Sequence, residues 1–180
     1  MDLRPNILLT YFEPFGGAET NISQQVAEGI AADGVIQLCL PVSFRLAPKV
    51  LREAIERYQP DFILSLGQCG EGENIRIERF AINMMDSVKA DNDGYIPNEE
   101  VIDNEAPIAL KTDIPVKRLN ELCHSADLPT IVSNSAGLYV CNRVYFEALR
   151  YTPKALFLHI PKDMNSEIAV RTITCIISKY

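Results

Sequence analysis

Five cysteines and two histidines are the thiols and imidazoles of this 180-residue chain, so the search for nucleophilic chemistry is short. Cys141 stands where Ser133-Asn134-Ser135-Ala136-Gly137-Leu138-Tyr139-Val140, a run of small and polar residues with a flexible glycine, gives way to a periodic segment. That segment carries Val144 and Leu149 on one face and reads as a helix to about Arg150. A cysteine at a helix start meets unpaired N–H groups and the positive end of the dipole, which favour thiolate over thiol. The same N–H groups suit a developing oxyanion. A thiol nucleophile also needs a base. His124 falls at an expected helix end, where the dipole favours a cation, and reads as structural or solvated. His159 closes the apolar run Ala155-Leu156-Phe157-Leu158. Alone it reads as a satisfied core histidine; paired with Cys141 it becomes a catalytic candidate, taking the thiol proton and returning it to a leaving amine. Glu78, in Ile75-Arg76-Ile77-Glu78-Arg79, is the candidate to orient that imidazole. An ion pair with Arg76 or Arg79 fits the same spacing equally well. Cys39, Cys69, Cys123 and Cys175 read as small core residues.

These residues need a frame. Residues 6–11, 35–40, 62–66, 75–83, 130–133 and 154–161 read as strands, mostly short apolar runs bounded by turn residues. Helices are expected at 24–32, capped by Asn21 or Ser23, and at 47–58, 116–126 and 167–178. Residues 84–111, polar and broken by prolines and by Asp91-Asn92-Asp93-Gly94, read as a long loop with a hairpin or short turns. Strands alternating with helices predict an α/β sandwich with a mostly parallel sheet, spanning residues 1–180 as a single domain. Functional loops of such sheets lie beyond the strands' carboxyl ends. The loops at 12–17, 67–70, 133–141 and 159–161 all begin there, so topology lets them share one crevice. The 12–17 loop joins a strand to a helix and has two glycines, but it lacks GxGxxG spacing and a P-loop lysine, which leaves phosphate binding the weaker reading.

Composition narrows the function classes. A net charge of -7 argues against nucleic acid or an anionic membrane surface as partner. No apolar run approaches the roughly 20 residues of a membrane span. Residues 1–5 lack the charged-then-apolar pattern of a secretory leader. The odd cysteine count without CxxC spacing fits free thiols in a reducing compartment, so a cytoplasmic protein is expected.

Leu8-Leu9-Thr10-Tyr11-Phe12-Glu13-Pro14-Phe15-Gly16-Gly17 resembles the N-terminal signature of the pyrrolidone carboxyl peptidases (pyroglutamyl peptidase I, cysteine peptidase family C15). The similarity runs on through Leu40-Pro41-Val42-Ser43-Phe44, Leu66-Gly67-Gln68, Ile77-Glu78-Arg79-Phe80-Ala81-Ile82-Asn83, the segment 133–142, and Leu158-His159-Ile160-Pro161. The resemblance implies a three-layer α/β/α fold and a cysteine exopeptidase that removes an N-terminal pyroglutamyl residue from a small, blocked peptide. By position it implies Cys141 as nucleophile, His159 as base and Glu78 as orienting acid. It places Phe12, Phe15, Gln68, Tyr139 and Val140 around the lactam ring, with Asn21 nearby. No metal or organic cofactor is implied, and a homo-oligomer is compatible with it. Tyr139 stands where the family usually carries phenylalanine, and Val88-Lys89-Ala90 where it usually carries Arg-Ile-Pro, which brings an amine to a position associated with the ring pocket. Those departures motivate the alternative of a catalytically weakened member that acts on another small amide or serves as a binding or regulatory protein.

Overall fold

The computed structural model describes residues 6–180, so the expectation about a leader in residues 1–5 lies outside the described residues. The apolar runs become β1 (Ile7–Phe12), β3 (Phe62–Cys69) and β8 (Ala155–Pro161), almost wholly buried along their length. Strands covered on both faces lose the apolar–polar alternation, which is why these segments read as continuous hydrophobic runs. Together with β2 (Val35–Leu40), β4 (Ile75–Glu78) and β7 (Thr130–Ser133) they form a six-stranded sheet in the order β2-β1-β3-β8-β4-β7. The first four strands run parallel, while β4 is antiparallel to β8 and parallel to β7.

Successive residues of the central strands feed two separate cores. Leu9, Leu64, Leu66, Leu158 and Ile160 pack with α1 (Ile22–Glu28), α3 (Val116–His124) and α5 (Ser166–Ile177). Leu8, Ile63 and Phe157 pack with α2 (Leu46–Tyr58) and α4 (Val140–Tyr151) on the other face. This is the three-layer α/β/α arrangement. Glu147 of α4, almost buried, joins the two helices of its layer by accepting Arg52 of α2 at 3.0 Å and Arg143 at 2.8 Å.

Three sequence expectations change. Residues 75–83 are not one strand: β4 ends at Glu78, and β5 (Phe80–Ile82) pairs with β6 (Ala109–Lys111) in a separate two-stranded sheet. The break falls at Arg79, whose N–H goes to Ser133 and whose carbonyl accepts Thr112. Helix α1 stops at Glu28: after the Gly29 cap the Ile30 N–H reaches back only to the Ala27 carbonyl, and Gly29 packs so closely that a Cβ there would lie 2.9 Å from Val170 of α5. The 133–141 loop does not leave the carboxyl end of a strand parallel to β8. β7 runs the opposite way and ends level with Phe157, so the chain climbs back over the sheet face to reach α4. The long 84–111 segment is ordered around Asp91, whose carboxylate accepts the amides of Phe44, Asp93 and Tyr95.

Candidate active site

β8 is central in the sheet, and His159 is its fifth residue, buried to 7% exposure. Its neighbours across the ladder are Gly67 on β3 and Arg76 on β4. Two residues further along β4, Glu78 is fully buried and its Oε1 lies 2.9 Å from His159 Nδ1. A carboxylate can only accept, so Nδ1 carries the proton and Nε2 is left to face the thiol. Glu78 pairs with the histidine, while Arg79, one of the two arginines considered for it, donates to Asn134 at 3.0 Å. The backbone carbonyl of Glu78 is held in turn by the Tyr145 hydroxyl of α4 at 3.0 Å.

Cys141 is the second residue of α4, after the extended N-cap residue Tyr139 and Val140. The cap has no side-chain hydrogen bond, and the bond from Arg143 N–H to the Tyr139 carbonyl is the first of the helix. The amides before it have no partner within the helix, which leaves donors beside the sulfur. Burial alone would lower the His159 pKa. The Cys141 sulfur, as charge and as hydrogen-bond partner, and then Glu78 outweigh that and push it up to about 9. The imidazole is therefore cationic at neutral pH and sits between a sulfur and a carboxylate.

Two parts of the site escaped the sequence reading. A Cβ at Gly67 would lie 2.8 Å from the Phe157 ring and 2.9 Å from the Cys141 sulfur, so only glycine lets nucleophile and sheet meet. The signal was there: a glycine inside an apolar strand marks a close approach. The other is Asn142, fully buried. Its amide accepts from Ile82 N–H at 2.8 Å and donates to the carbonyls of Ile82 at 2.8 Å and Met84 at 3.0 Å. No local pattern in the sequence announces that clamp.

Beside Cys141 is a small cavity lined by Phe12, Phe15, Asn21, Val42, Gln68, Tyr139 and Val140. All six residues expected around the substrate are thus brought together. Asn21 caps α1 by accepting the Ser23 amide and donates to the Glu13 carbonyl at 3.0 Å, which fixes the aromatic loop. Gln68 accepts Ile22 N–H at 3.1 Å. Lys89, expected near the ring, is exposed and does not line the cavity. His124 is structural, as expected: it ends α3 with its Nε2 2.7 Å from the Thr130 carbonyl. Of the other cysteines Cys123 is buried in the core and half-buried Cys175 packs against it, while Cys69 is half-buried and Cys39 is exposed on the outer strand β2, so a core role does not extend to Cys39.

A thiol at a helix start, an imidazole and a buried carboxylate, gathered at one end of a mostly parallel sheet, make the equipment of a cysteine hydrolase on an α/β/α scaffold. Comparison with known proteins specifies the class. Residues 5–172 match the Pyroglutamyl peptidase family (Peptidase_C15), and the chain belongs to that family. It is 41% identical over 165 residues to the pyrrolidone-carboxylate peptidase of Thermococcus kodakarensis, covering 86% of this chain and 80% of the relative. The structure superposes on pyroglutamyl peptidase I from Bacillus amyloliquefaciens with a TM-score of 0.91 at 31% identity, covering 98% of this chain and 94% of the other. The pyrrolidone carboxyl peptidase of Fervidobacterium islandicum AW-1 gives 0.89 at 33% identity, with 96% of both chains covered.

Proposed function

We propose that the protein hydrolyses the amide bond between an N-terminal pyroglutamyl residue and the remainder of a small peptide. The Cys141 sulfur attacks the lactam-bearing carbonyl, forming a C–S bond and a tetrahedral oxyanion facing the amides at the start of α4. His159 gives its proton to the departing amine as the C–N bond breaks, leaving a thioester. Water then attacks with His159 as base, the C–S bond breaks, and pyroglutamate and the thiol are released. Glu78 keeps the imidazole in the tautomer that both steps need. The observation that carries this reading is the line from Glu78 through His159 to Cys141, ending at the cavity between Phe12, Phe15 and Tyr139. The aromatic faces and the Gln68 amide suit a small neutral ring, which offers stacking area and one amide to recognise.

The five cysteines are unpaired, as a reducing compartment keeps them, and no helix of the described residues is long and apolar enough to cross a membrane. The unpaired cysteines fit a site of action in the cytoplasm. The test is release of a coumarin amine from its pyroglutamyl amide by pure protein. Turnover is expected for the wild type and its loss for Cys141→Ala; equal rates for the two would end the assignment.

A further inference from the structure

Strand β3 ends in a second thiol. Along it Leu64 and Leu66 point into the core under α1, α3 and α5, while Ile63 points into the core under α2 and α4. Side chains alternate along a strand, so Gly67 and Cys69 share the face of Ile63, on which α4 lies. The contact at Gly67 agrees, since a Cβ there would lie 2.9 Å from the Cys141 sulfur. The Cys69 Cβ stands two residues further along the same face, about 7 Å from that point. On β8 the partners of Gly67 and Cys69 are His159 and Pro161, which sets Cys69 diagonal to the imidazole. The charges of the site reach it: burial pushes the Cys69 thiol up, Arg76 pulls it down, and Glu78 and Cys141 push it up again. No other cysteine shares this position. Cys123 and Cys175 belong to the opposite core, and Cys39 lies beyond β1, on the face of β2 turned away from Ile36 and Leu38.

Amide hydrolysis leaves this thiol unused: Cys69 lines neither the acyl cavity nor the line from Glu78 through His159 to Cys141. We propose that Cys69 is the resolving thiol of a reversible oxidation site, closing a disulfide with Cys141 when the site meets a peroxide. The cationic imidazole favours negative charge on the Cys141 sulfur, the form that reacts with peroxides. That sulfur attacks one peroxide oxygen; an S–O bond forms, the O–O bond breaks, and the departing hydroxide takes the His159 proton and leaves as water. The Cys69 sulfur then attacks the sulfenic acid. The S–S bond forms as the S–O bond breaks, and the hydroxyl departs with the Cys69 proton as a second water. Both sulfurs are oxidised and the peroxide is reduced to two waters. The strand end has room for this closure. Cys69 is the last residue of β3, Gly70 after it has open space around it, and the Lys162 N–H is shared between the Cys69 and Gly70 carbonyls at 3.3 and 3.4 Å. The disulfide silences the nucleophile and keeps it from irreversible oxidation to the sulfinic acid.

The test treats the pure protein with hydrogen peroxide and then with dithiothreitol, and reads peptide maps by mass together with turnover of the coumarin amide. The wild type is expected to lose the mass of two hydrogens, to yield a cross-linked peptide joining Cys69 to Cys141, and to lose turnover that dithiothreitol restores. Cys69→Ala is expected to begin with wild-type turnover and to lose it for good, with sulfinic acid at Cys141. A disulfide joining any other pair would overturn the proposal. So would sulfinic acid forming at Cys141 equally fast in the two proteins. The peptide maps do not depend on the substrate, so a wild type with no turnover before oxidation would count against the pyroglutamyl reading alone.

Discussion

A methyl group on Gly67 would meet the Phe157 ring at 2.8 Å and the Cys141 sulfur at 2.9 Å, distances at which something must move. Phe157 is fully buried and its ring is 4.8 Å from the His159 ring, so it cannot yield without carrying the imidazole along. The sulfur is the mobile party. Gly67→Ala is therefore expected to reduce kcat/KM by about a hundredfold or more, as misplacement of a reacting atom by 1 Å does. Overpacking should cost about 1–3 kcal/mol of stability. Near-normal turnover of a coumarin amide by this variant would contradict the close approach. The second prediction at this scale concerns pH. In the proposed mechanism the protonated imidazole is the acid for the leaving amine, and its pKa is raised to about 9. Activity present at neutral pH is therefore lost as pH rises through that value, and kcat/KM should fall on an alkaline limb centred near pH 9. A profile whose alkaline limb lies near 6.5, the ordinary histidine value, would mean that neither Cys141 nor Glu78 supports the cation.

Among the elements, the strands and helices that carry Cys141, His159 and Phe12 were legible in the sequence because each is a single apolar pattern read at one period. The break at Arg79 was not. Residues 75–83 keep a strand-like composition throughout, and the division is imposed from far away, by Ser133, Thr112 and the Asn142 amide. The roles of Glu78 and Arg79 were ambiguous for the same reason. Spacing allows an ion pair, and only the antiparallel register of β4 against β8 turns Glu78 toward His159. Asn142 belongs to this scale because it fastens α4 to β5. Asn142→Ala removes one donor and one acceptor that serve three backbone groups. A stability loss on the order of 3 kcal/mol is expected in urea unfolding. A loss below about 1 kcal/mol would show that water replaces the clamp without cost.

At the scale of the molecule, the sheet separates two cores of different duty. The face covered by α2 and α4 contains Phe12, Val140 and Phe157, which touch the site; the apolar core covered by α1, α3 and α5 contributes no side chain to the cavity, whose contacts from that side are the polar Asn21 and Gln68. Ile173→Ala on the second face is expected to cost about 2–5 kcal/mol, with kcat/KM unchanged below the melting transition. Phe157→Ala should cost a similar amount and also lower kcat/KM, since its ring supports both His159 and the approach at Gly67. The two variants, compared by thermal melting and by rate, separate loss of fold from loss of site. Equal effects on rate would mean that the two layers act as one mechanical unit.

The side chain of Asn142 meets Ile82 with the donor and acceptor pair that a neighbouring strand would present, so α4 is joined to the small sheet as though it supplied a third strand. Both roots of the 84–108 excursion, β5 and β6, are thereby moored to the helix that carries Cys141. What lies between the roots is held separately, at Asp91 and Asn92. Extra residues at the exposed turn at Asn104 and Glu105 would add only loop-closure entropy, on the order of 0.6 kcal/mol per doubling of length. A lineage could lengthen this segment there, or graft a binding element onto it, while the thiol stays where it is.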